Sequence, residues 1–138
     1  MLVSAPFIDE ILPTLFEFLG SREETVVVAH NSPFDLSFLK AASIAHEMPW
    51  PEYVTVDTAR LARAVLERDE VINCKLSTLA QFFGATTSPN HRALDDALAT
   101  VDVLHGLIER LAGFNIYNFE ELRSFPSKKR RAKRPIAE

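Results

Sequence analysis

Two stretches of this 138-residue chain carry side chains suited to acid–base or metal chemistry. The first runs Val28-Ala29-His30-Asn31-Ser32-Pro33-Phe34-Asp35-Leu36-Ser37-Phe38-Leu39. The run that leads into it, Thr25–Ala29, is apolar without alternation, the pattern of a strand covered on both faces. Asn31-Ser32-Pro33 then restarts the chain as a helix, a capping side chain followed by proline in the first turn. Asp35 thus falls at a helix start beside the carboxyl end of a strand, where ligands bind in open α/β sheets. An acid there also complements the helix dipole, so Asp35 taken alone has two readings.

The second stretch is His91-Arg92-Ala93-Leu94-Asp95-Asp96-Ala97-Leu98-Ala99-Thr100. A histidine at the mouth of a polar loop precedes a helix that bears Asp96 five residues on. Asp95 and Asp96 diverge by about 100° around the helix axis, so one face cannot hold both. Leu94, Ala97, Leu98, Val101, Leu104, Ile108 and Leu111 are expected to form the inner face. Asp96 lies near that face and is expected to point inward, where an unpaired carboxylate is costly and a metal ion would relieve the cost. The plainer alternative is dipole complementation beside a surface histidine.

Together the two stretches resemble the second and third motifs of the DEDD-type 3′–5′ exonucleases, in the subgroup that uses His rather than Tyr. That family includes the epsilon proofreading subunit of bacterial DNA polymerase III. The pattern His-Asn-x-x-Phe-Asp-x-x-Phe-Leu matches His30 to Leu39, and His-x-Ala-x-x-Asp-Ala-x-Ala-Thr matches His91 to Thr100. Val56-Asp57-Thr58-Ala59-Arg60-Leu61-Ala62-Arg63 is similar to the segment the family places between them. The resemblance implies a ribonuclease H-like α/β fold and hydrolysis of nucleic-acid phosphodiesters from the 3′ end, in DNA proofreading or repair. It also implies two Mg²⁺ or Mn²⁺ ions about 4 Å apart, clamping the attacking and leaving oxygens. By the match, Asp35 and Asp96 are metal ligands and His91 is the general base. Histidine suits base work because its ring titrates near neutral pH. His30 and Asn31 would shape the floor of the substrate site. The implied partners are a single-stranded DNA 3′ end or RNA, and DNA polymerase subunits.

The chain departs from the family in one respect. The family's first motif, Asp-x-Glu on a central strand, supplies two further metal ligands, and no Asp-x-Glu occurs in these 138 residues. Asp9-Glu10 and Asp69-Glu70 are adjacent pairs, and neither follows an apolar run. The expectation is therefore an N-terminally shortened member with an incomplete sheet and impaired activity. The alternative is a catalytically inactive fragment that binds nucleic acid or a polymerase.

The elements that must position these residues follow from periodicity and caps. A helix from Ser4-Ala5-Pro6 to Gly20 is expected to be kinked by Pro13 or to have its true start there. Strand Thr25–Ala29 leads to helix Pro33–Ile44, which places Phe34, Phe38 and Leu39 on one side. Strand Tyr53–Val56 precedes a helix capped by Asp57-Thr58 and ending at Leu66. Helix Leu76–Phe83 stops at Gly84, and the longest helix runs from His91 or Arg92 to about Leu111. Residues 1–113 are read as a partial exonuclease domain, and 114–138 as a linker with a disordered basic end.

Of 15 basic and 19 acidic residues, six bases and one acid fall in Ser127–Glu138, leaving 9 and 18 for residues 1–126. An acidic body is not one that grips phosphates over its whole face. It suits a carboxylate-rich metal site with a separate basic anchor, or a tail that is merely a solvated linker. Asn118–Leu122 with Lys128–Arg134 is also similar to the linker of exonuclease–endonuclease fusions. No apolar run is long enough to cross a bilayer and no leader is evident, so no membrane partner is expected. One cysteine, Cys74, can form no internal disulfide, and a reducing cytoplasm is the expected setting. Cys74 is read as a small buried residue, His46 and His105 as bystanders, and Trp50 as a loop packing residue.

Overall fold

The elements occur in the expected order: helix, strand, helix, strand, then three helices. The structure is a computed structural model that describes residues 8–125, without the side chains of residues 8, 9 and 32–35. The basic end, Ser127–Glu138, lies outside the described residues. The chain divides into two units, Met1–Val28 with Ser32–Val56, and Ala29–Asn31 with Asp57–Glu138.

In the first unit, α1 (Ile8–Leu19) packs on α2 (Ser32–Ala45) around the fully buried Leu12. Pro13 lies inside α1 without ending it, so the helix continues with one donor fewer. Gly20 closes it in the left-handed conformation, at φ 81°, which an L side chain adopts only with strain. Trp50 packs edge-on between Phe16 and Tyr53, with centroids 6.0 and 5.8 Å away, the packing role read from its position between two prolines. The Tyr53 hydroxyl donates to the Gly20 carbonyl at 3.1 Å.

The strands β1 (Val26–Ala29) and β2 (Val54–Asp57) form a two-stranded parallel sheet. This mixed α/β arrangement agrees with part of a ribonuclease H-like fold. The coverage expected of β1 on both faces does not hold. Val26 is 42 % exposed and none of the four β1 residues is buried, because β2 is the one partner strand among the described residues. Phe38 on α2 is likewise exposed.

The second unit is helical. Its α3 (Thr58–Val65) and α4 (Leu76–Phe83) both pack against α5 (Ala93–Ala112), and a short helix follows at 119–125. Leu61, Val65 and Leu79 are buried there with Ala99, Val103, Leu107 and Leu111 of α5. The inner face of α5 therefore differs from the one read from the sequence. Leu94, Leu98, Val101 and Ile108 are exposed at 44–70 %, and of the expected face only Leu111 is buried. Gly106 explains part of this choice. A Cβ there would run into the Phe83 ring, so its absence lets α4 approach α5 on that side.

Candidate functional site

Asp57 is the local organiser of the second unit. As N-cap of α3 it accepts the Ala59 N–H at 3.0 Å, and the same Oδ1 accepts the Asn31 N–H at 2.8 Å. That second bond holds the 29–31 turn, where Asn31 stands at φ 64°. Asparagine tolerates this left-handed conformation better than most side chains.

His30 is fixed from both ring nitrogens. Nε2 lies 2.9 Å from the Cys74 carbonyl, which can only accept, so Nε2 carries the proton and donates. The neutral ring then accepts at Nδ1 from the Thr58 hydroxyl, 2.9 Å away. Burial lowers the His30 pKa below the usual histidine value and Arg63 adds to this, against the opposing pull of the Cys74 carbonyl and Asp57. The ring thus ties the end of β1 to the start of α3 and to the segment that leads into α4. Cys74 is half-buried rather than fully buried, and desolvation raises its thiol pKa despite Arg63.

The loop before α5 is shaped by two acids. Asp96 Oδ1 accepts the backbone N–H groups of Asn90 at 3.0 Å and His91 at 3.2 Å. Asp95 Oδ2 accepts from the Asn90 side-chain amide at 2.8 Å, and Asn90 Oδ1 accepts the Arg92 N–H at 3.0 Å. These bonds hold His91 at φ 70°, a strained conformation for most residues, with its side chain exposed. Asp96 is half-buried, but for a reason other than the one expected. It shares the stripe of Ala99 and Val103 at spacings of three and four, not the Leu94–Leu98–Val101 side.

His30, Asn31, His91 and Asp96 all line one cavity of 1210 Å³ in the second unit. Four of the five residues singled out in the sequence are therefore gathered at one place. Asp35 lies in the first turn of α2, in the first unit, and its side chain is outside the described residues. Arg63, Arg68 and Lys75 also line the cavity and were not singled out. Arg63 closes the segment that resembles the family's stretch between the two motifs, Arg68 and Lys75 belong to no motif, and the three stand at irregular intervals, so only folding brings them together.

As a cation site, Asp96 offers one carboxylate oxygen, since Oδ1 is engaged by two N–H groups and Oδ2 is not. Among the described residues no group of three His, Cys, Asp or Glu side chains could hold a metal ion. An ion pair of Arg110 with Glu70 joins α5 to the turn after α3.

A protein-family model described as Exonuclease matches residues 1–104. A Mycobacterium tuberculosis protein named bifunctional exonuclease/endonuclease protein is 47 % identical over 141 aligned positions, covering all of this chain and 21 % of the relative. A PolC-type DNA polymerase III from Caldanaerobacter subterraneus is 36 % identical over 124 positions, 90 % of this chain and 8 % of the polymerase. Its counterpart in Clostridium perfringens is 36 % identical over 75 % of this chain and 7 % of the polymerase. The chain thus spans about a fifth of the first relative's length and under a tenth of the two polymerases. No solved structure matches.

Proposed function

This chain belongs to the exonuclease family whose model matches it, and from that premise we propose that it is the His91-bearing part of a divalent-metal-dependent 3′–5′ exonuclease acting on single-stranded DNA ends. The observation that carries the reading is the pairing of His91 with Asp96 on the rim of one cavity. The Asp96 carboxylate holds the His91 backbone and leaves the imidazole exposed, free to take a proton from an attacking water. The free Asp96 Oδ2 would serve as a ligand of Mg²⁺ or Mn²⁺, hard cations that favour carboxylate oxygen, and Asp35 is proposed as a ligand on the motif match alone. When bound, such an ion supplies Lewis-acid stabilisation of charge on the phosphodiester. His30 acts here as a positioning residue, since both its ring nitrogens are engaged by protein groups. Asn31 lines the cavity and is available to touch substrate.

Residues 1–113 are proposed as the exonuclease part and 114–138 as a linker and basic tail, with the described part of that segment packed through Phe125 on Phe114. Names borne by the relatives suggest two settings for the whole protein, an exonuclease joined to an endonuclease or an exonuclease joined to a polymerase. The lone Cys74, which can form no internal disulfide, favours a reducing cytoplasm. RNA is the alternative substrate. Because the sequence has no Asp-x-Glu, the 138 residues alone are expected to be nearly inactive. The test uses a 5′-labelled DNA strand with Mn²⁺, with this chain alone and with a fusion that places an Asp-x-Glu segment from an active family member before residue 1. Digestion from the 3′ end should appear in the fusion and fall about 10²–10⁴-fold with His91→Ala, the usual contribution of a general base. A digesting fusion indifferent to His91→Ala would overturn the assignment.

A further inference from the structure

The acidic balance of residues 1–126 poses a question for any site that receives a polyanion, and the cavity beside His91 answers it. Three of the nine basic residues in that span, Arg63, Arg68 and Lys75, line this one cavity. Arg63 stands in the last turn of α3, Arg68 in the turn that follows, and Lys75 at the N-cap of α4. All three are exposed, and none makes an ion pair among the described residues. Elsewhere in the unit Arg110 is paired with Glu70. The acids of the lining are Glu67 and Asp96. The first turn of α4 also borders the cavity without a side-chain cap, adding backbone N–H groups of the kind that favour anions.

Size narrows the ligand. Pockets for compact small molecules measure about 300–1,000 Å³, and 1210 Å³ exceeds that range. Exposed cations spread along a cavity of this size, with no ion pair among the described residues, fit a chain of regularly spaced anions better than one compact anion. We propose that Arg63, Arg68 and Lys75 form a phosphate-tracking wall that holds the backbone of a single-stranded nucleic acid upstream of the bond presented to His91. This deepens the exonuclease reading and rests on it for the identity of the polyanion. Arg63 and Arg68 contribute planar guanidinium forks matched to phosphate oxygens, and Lys75 a point charge. Backbone contact carries no base information, so the wall accepts any sequence.

The test measures binding of the full chain to a fluorescent oligo-dT strand by anisotropy, in EDTA so that no cleavage occurs, between ~50 and ~200 mM salt. Each phosphate neutralised on a single strand contributes about 0.7 to the slope of log K against log salt. Arg63→Ala, Arg68→Ala and Lys75→Ala should each lower the slope by up to ~0.7, and the triple variant by up to ~2. Arg60→Ala, on α3 but outside the cavity, should leave the slope unchanged. The same reductions with oligo-U would extend the wall to RNA. Unchanged slopes in the triple variant would overturn the proposal, even if the fusion enzyme digests DNA through His91. Reduced slopes with no His91-dependent digestion would uphold the wall and sink the exonuclease mechanism.

Discussion

His30 borders the cavity with both ring nitrogens engaged by the protein, Nδ1 with Thr58 and Nε2 with Cys74, so any contact it makes with a ligand is through the ring itself. Burial lowers its pKa, so between about 6.5 and the lower folded value the unfolded chain binds a proton that the folded chain does not. Stability therefore rises with pH across that window. The contribution is whole above about pH 6.5, is lost as pH falls toward the folded pKa, and is constant below it. Urea unfolding from about pH 7 to 5 should show a steeper loss for the wild type than for His30→Gln, which cannot titrate. Parallel curves would mean that the folded ring protonates as readily as the unfolded one. His30→Ala should cost about 1–3 kcal/mol at neutral pH, because it takes the donor from the Cys74 carbonyl and leaves the Thr58 hydroxyl only the long 3.5 Å bond to the Ala29 carbonyl.

At the scale of the element, α5 is the instructive case. Its sequence carries apolar residues on more than one side, so a 3.6-residue period fits the stripe 94–98–101–108 as well as 99–103–107–111. Packing by α3 and α4 selects the second. Leu107→Ala should therefore cost about 2–5 kcal/mol. Leu98→Ala, at an exposed site, should change stability by no more than about 0.5 kcal/mol. Equal destabilisation in chemical denaturation would restore the face read from the sequence. Gly106→Ala should also destabilise, since about 1–3 kcal/mol of overpacking against Phe83 outweighs a helix-propensity gain of about 1 kcal/mol. Adding Phe83→Leu should recover part of that stability. Ends were easier to read than faces. Asp57 caps α3 and Gly84 closes α4 in the left-handed conformation, because caps are decided by neighbours in sequence.

At the scale of the whole molecule, charge is divided between an acidic body and a basic end. Ser127–Glu138 carries six of the 15 basic residues and lies outside the described residues. If that segment anchors nucleic acid, its deletion should flatten the salt dependence of oligonucleotide binding, by up to ~0.7 for each phosphate the segment had neutralised. The cavity variants should still lower the slope of the shortened chain by the same increments, because they act on phosphates separate from the tail's. A slope unchanged by the deletion would make the segment a linker only.

The sequence by itself determined the order of the elements, the caps of α3 and α4 and the two motif segments that mark the exonuclease family. Each of these is written in residues close along the chain, as a hydrophobic period, a capping side chain or a fixed spacing. Which face of α5 is covered, what engages the two nitrogens of His30, and the gathering of Arg63, Arg68 and Lys75 around one cavity were decided only by tertiary structure. His30 and Cys74 lie 44 residues apart, and α5 takes its buried face from α3 and α4, helices elsewhere in the chain. No local period or cap encodes such pairings, because their energy exists only once distant segments meet and exclude water from between them.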